Sequence, residues 1–159
     1  MLDPIEIATF AALGVVFAVG VAFLARWAGQ SPVRIGAYAL IAVSFIYVGL
    51  AFGAESANSW VAVEMTGVAL FGSAALASLI STPWLVVAGL LLHPVWALYI
   101  HLHGAGSVFT PAPIAVANAG FDLALGFYLA FLVWRGAGAK SPAPAPANAN
   151  RKSRKERAS

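Results

Sequence analysis

The chain has 159 residues, 61% of them hydrophobic and only 9% charged, with a mean hydropathy of +0.86. A water-soluble domain carries about 25% charged residues, so there is too little polar surface here to coat a soluble globule. Cysteine is absent, which excludes disulfides, thiolate chemistry and cysteine-held metals.

The formal net charge of +3 is unevenly placed. Up to residue 134, Arg26 and Arg34 stand against Asp3, Glu6, Glu55, Glu64 and Asp122, so the body is acidic. From Arg135 on, seven basic residues face only Glu156. The basic balance belongs to the tail, and no nucleic-acid surface follows from it.

A membrane-spanning helix needs about 20 mostly apolar residues. Five segments qualify, and they predict an all-α, five-helix transmembrane bundle over residues 1–136. The first runs from about Ile5 to Ala25. Its acidic start and long apolar run differ from a signal peptide, which has a basic start and a short core, so it reads as a retained span. The second runs from about Ile35 to Ala54, after the breaker GQSP. The third covers Trp60 to Ile80 and carries Glu64. The fourth covers Trp84 to His101 and the fifth Pro113 to Trp134, separated by HGAGSVFTPAP. Residues 137–159 read as a disordered Pro/Ala-rich basic tail, able to touch anionic inner-leaflet lipid.

Arginine and lysine placement sets orientation. Arg26 and Arg34 flank the first connection, and the tail is basic. With five spans both lie inside, and the N-terminus lies outside. Multi-pass residence in the cell membrane follows. Trp27, Trp60, Trp84 and Trp134 fall at helix ends, where an indole suits the headgroup region. Glycines within the spans, among them Gly49, Gly53, Gly67, Gly72, Gly120 and Gly126, suit close helix packing in lipid, within one chain, a homo-oligomer or a membrane complex.

The candidate site rests on polar groups that lipid does not favour. An aspartate at mid-span costs at least about 2.5 kcal/mol on insertion scales and normally faces the bundle interior. His93 and Asp122 each lie about nine residues into antiparallel neighbouring spans, near 13 Å deep from opposite faces. They are expected to touch. Asn118 is one turn before Asp122 on the same face. Glu64 falls in the outer half, with His101 and His103 at the outer rim. Together they predict a polar funnel opening outward, with His93 and Asp122 at its floor and Trp96 beside them. Pro94 cannot donate a backbone hydrogen bond, so a kink there would free a carbonyl for the site.

This set suits a ligand site built from His93, Trp96, Asn118, Asp122 and Glu64. A divalent metal ion is a second possibility, held by His93, Asp122 and either Glu64 or His101, because such sites need about three ligands. His93 and His101 are about 12 Å apart along one helix and share an ion only if that helix breaks. Haem is disfavoured within one subunit, since all three histidines sit in one segment. No nucleophile elbow or phosphate loop is present.

HPVWALYIH, followed after about twenty residues by GFDLALG, resembles small bacterial multi-spanning membrane proteins of uncharacterised function. Their pattern is H-x-x-W-D-x-x-H-H, a proline-rich loop, then G-[YF]-D. His93, Trp96, His101, Gly120 and Asp122 match it, whereas Ala97 and Ile100 depart from it. The resemblance implies that the His/Trp/Asp constellation is a family feature. Three functions are open at this point: a binder of a small ligand or ion, or a complex subunit; a membrane-embedded metal-dependent enzyme acting on an apolar or lipid substrate; and a purely structural bundle.

Overall fold

The computed structural model describes residues 2–136. The tail and its lipid contact lie outside these residues. Five α-helices make up the bundle: α1 (Pro4–Trp27), α2 (Pro32–Ala51), α3 (Ala57–Ile80), α4 (Trp84–Leu98) and α5 (Ala112–Trp134). All five are long and apolar enough to cross a membrane, α4 when counted with its continuation to His103.

Proline starts several of these helices. Pro4 and Pro32 sit at the first positions of α1 and α2, Pro113 lies in the first turn of α5, and Pro83 precedes α4. Proline suits these places because the first-turn N–H has no helical partner. Pro32 also explains why α2 starts and ends three residues before the expected Ile35 and Ala54. At α1, Asp3 accepts from the Ile5 and Glu6 N–H groups while Glu6 accepts from the Asp3 N–H, a reciprocal cap. The far end closes on Gly29, whose φ of 64° is left-handed. The Gln30 N–H reaches the Ala25 carbonyl and the Gly29 N–H the Arg26 carbonyl, the Schellman pattern.

The surface is that of a membrane protein. Phe17, Val16, Phe23, Leu70, Leu92, Val95 and Phe127 are each more than half exposed, whereas Glu64, His93, His101 and Asp122 are 0–2% exposed. Apolar groups face outward and ionisable groups inward, as lipid requires.

Helix α5 is central. It packs against α1 and α4, while α2 packs chiefly on α3. The α1–α5 seam is made by glycine. A methyl group on Gly14 would collide with the Ala117 carbonyl oxygen, and one on Gly120 would collide with the Ala11 carbonyl oxygen. Gly67 admits the Trp96 indole, 3.1 Å from where a Cβ would stand. A Cβ on Gly49 or Gly72, by contrast, would meet nothing within 4 Å, so neither position requires glycine for a close helix contact, although Gly72 is itself buried. One half of the bundle holds a dry core of Leu40, Val86, Leu90, Leu125 and Leu129. The other half holds the polar groups.

Candidate functional site

Four elements converge on the polar half. Helix α4 passes through Pro94 without interruption and then widens into a π-helical turn, Tyr99–His103. On a regular helix, eight residues would set His101 about 80° around from His93. The i→i+5 turn holds an extra residue and rotates His101 back toward the interior. The chain then folds over it through a short 3₁₀ turn, Ala105–Val108. A side chain on Gly106 would crowd His101 Nδ1 at 2.8 Å.

His93 and Asp122 touch. His93 Nδ1 lies 2.6 Å from Asp122 Oδ2, with exposures of 1% and 0%. The distance is at the short end for a charge-assisted hydrogen bond, with Nδ1–H donating to the carboxylate. Asp122 Oδ1 has no hydrogen-bond partner.

His101 and Glu64 form a second buried pair. His101 Nε2 stands 3.4 Å from Glu64 Oε2, within ion-pair range. His101 Nδ1 lies 3.0 Å from the Thr110 hydroxyl. That hydroxyl can donate to the neutral ring or accept from the doubly protonated one, because it rotates and holds both a proton and lone pairs.

Tyr47 links the two pairs, and the sequence reading did not single it out. It is 1% exposed. Its ring stacks on His101, with centroids 4.1 Å apart and planes 2° apart, and lies 5.9 Å from His93. Its hydroxyl is buried and has no hydrogen-bond partner. The signal was available: a tyrosine deep within a span rather than at its end, where the aromatic belt lies. Thr110 was also missed. It sits in the breaker-rich connection, where nothing local marks it.

Three expectations are corrected. The polar groups do not form an open funnel, because His101 is fully buried beneath the edge of Phe109, whose ring packs in turn on Trp60. His101 is therefore not at an open rim; His103 is exposed there. Trp96 is not directly beside His93. Phe71 lies between them, edge-on to both rings. The candidate metal ligands His93, Asp122, Glu64 and His101 sort into two pairs. No group of three that could hold a metal ion forms among the described residues.

Outside Glu64 and His101, a groove of about 430 Å³ is lined by Trp60, Val63, Tyr99, Ile100 and His103 among others. No known family model, curated protein or solved structure matches the chain.

Proposed function

We propose that the chain is a multi-pass protein of the cell membrane, N-terminus outside, whose buried polar centre binds a small ligand or an ion. One observation carries this reading. Among the described residues, five buried side-chain atoms lack a hydrogen-bond partner: Tyr47 Oη, Glu64 Oε1, His101 Nε2, Asn118 Nδ2 and Asp122 Oδ1. They come from α2, α3, the π-helical turn and α5. Each unsatisfied group costs about 1–3 kcal/mol, and native interiors leave few. Helix adhesion alone needs only the His93–Asp122 bond, so the remaining donors and acceptors support a polar occupant.

The reading is tested by thermal unfolding of detergent-purified protein in sodium, potassium, ammonium, magnesium and zinc chlorides and across pH. Native mass spectrometry adds a check for retained small molecules. A species that binds only the folded state stabilises it, by about 2.7 kcal/mol at a hundredfold excess over Kd. We expect such a shift, and expect Asp122→Asn to abolish it. Indifference to every salt and to pH, with no retained mass, would leave a structural bundle.

A further inference from the structure

We propose that the occupant is the proton, and that the polar half is an uptake path from the outer face to the His93–Asp122 pair. The inference deepens the binding reading above and rests on it.

The order of groups makes a path. His103 is exposed in the outer groove, two residues from His101. Next come His101 and Glu64, 3.4 Å apart. Tyr47 follows, its ring stacked on His101 and 5.9 Å from the His93 ring, with its hydroxyl buried and unpartnered. The path ends on Asp122 and His93. These are the titratable groups facing the centre from α2, α3, α4 with its π-helical turn, and α5. Helix α1 brings none, since its buried residues are Gly14, Ala18 and Ala25.

Three features favour the proton over a larger ion. The unpartnered atoms of Tyr47, Glu64, His101 and Asp122 all belong to groups that gain and lose protons. Thr110 serves His101 in either charge state, as its hydroxyl reverses. The four carboxylate and imidazole ligands are also gathered as pairs and not as a coordinating trio. Chains of Asp, Glu and His within spans are the usual material of proton relays.

The path stops at the middle of the bundle. Beyond Asp122 stand Leu40, Val86, Leu90, Leu125 and Leu129. The buried hydroxyls in the bundle outside the site, Ser44 and Ser78, are bonded to carbonyls of their own helices, Leu40 and Ala75. Protons therefore enter from one side only.

The transfer balances simply. A proton arriving at Glu64 makes the acid. Neither the Tyr47 hydroxyl nor Asp122 Oδ1 has a direct partner, so bridging waters carry the step: Tyr47 takes that proton on its oxygen as its own O–H proton passes to Asp122 Oδ1. Glu64 returns to carboxylate, Tyr47 is restored, and the Asp122 acid keeps the His93 N–H on Oδ2. One proton enters, the net charge rises by one, and no heavy-atom bond changes.

The test uses the full chain in lipid nanodiscs with aspartate isotope-labelled at its side-chain carboxyl. Asp3 and Asp122 are the only aspartates, so Asp3→Asn, at an exposed helix cap, assigns the infrared signal without disturbing the site. Acidification from about pH 8 to about pH 5, the range of histidine chemistry, should convert the Asp122 carboxylate band into a carboxylic acid band. After a rapid pH jump, Tyr47→Phe should slow that conversion by about a hundredfold, the low end of what a positioned proton donor contributes, at unchanged final amplitude. Glu64→Gln carries the same expectation and decides the matter should Tyr47→Phe not fold. A band that ignores pH, or one that responds as fast in either variant as in the parent, overturns the relay. If the band is silent while a salt or retained molecule stabilises the protein, the relay falls and the binding reading stands. Silence in both experiments removes both.

Discussion

At the residue scale, the decisive contact is between His93 and Asp122, 2.6 Å apart with both side chains at most 1% exposed. Hydrogen bonds between membrane helices average only about 0.6 kcal/mol in double-mutant cycles, with a maximum near 1.7. This pair is short and buried, so its coupling belongs at the upper end. In a cycle on His93→Leu and Asp122→Leu, read by unfolding in detergent, the double variant should lose about 1.5 kcal/mol less than the sum of the two single losses, close to that maximum. Additive losses would mean the groups do not act as a pair. This contact was legible from counting alone, because equal depth on consecutive antiparallel spans leaves few other partners for a mid-membrane aspartate. Glu64 and His101 were legible as polar groups but not as a pair. Their meeting depends on a π-helical turn, and hydrophobic spacing carries no mark of an extra residue per turn. Tyr47 was legible only as a mid-span tyrosine; that it stacks on His101 is carried by no spacing in the sequence.

At the scale of elements, glycine position separates packing from mere frequency. Gly14 and Gly120 bring the α1 and α5 backbones together, whereas a Cβ on Gly72 would meet nothing within 4 Å. Gly14→Leu should therefore destabilise the bundle by about 1–3 kcal/mol through overpacking. Gly72→Ala should leave stability unchanged or raise it by up to about 1 kcal/mol, the helix-propensity difference. Paired thermal unfolding curves distinguish the two, and equal effects would refute the seam. Spans were read well because a run of twenty apolar residues is a strong signal. The seam was read only in part: Gly120 stood out, but Gly14 sits in a segment apolar all round, with no face to orient it. The cap of α1 gives a second check. Asp3→Ala removes the acceptor for two N–H groups and should cost about 1 kcal/mol, seen as faster amide exchange at Ile5 and Glu6 with little change elsewhere.

At the scale of the whole molecule, the charges outside the membrane and the tryptophans sort to the ends. Trp27, Trp84 and Trp134 are 48–81% exposed at the termini of α1, α4 and α5 that share one face with Arg26 and Arg34. Under the proposed orientation this face is cytoplasmic. A reporter fused after residue 140 should read inside, and one placed before Asp3 should read outside. Both on the same side would contradict five spans.

The Gly14–Gly120 seam also bears on how the chain is built. Helix α1 is made before the other four, yet its main neighbour, α5, is made after them. During synthesis of the three helices between them, α1 lies in lipid with its small-residue face, Gly14, Ala18 and Ala25, uncovered and only a small contact with α2. The bundle is therefore closed by the first and fifth of its helices, like a clasp fastened after the strap is threaded. A polypeptide halted before α5 therefore carries a first helix whose packing face has no intramolecular mate.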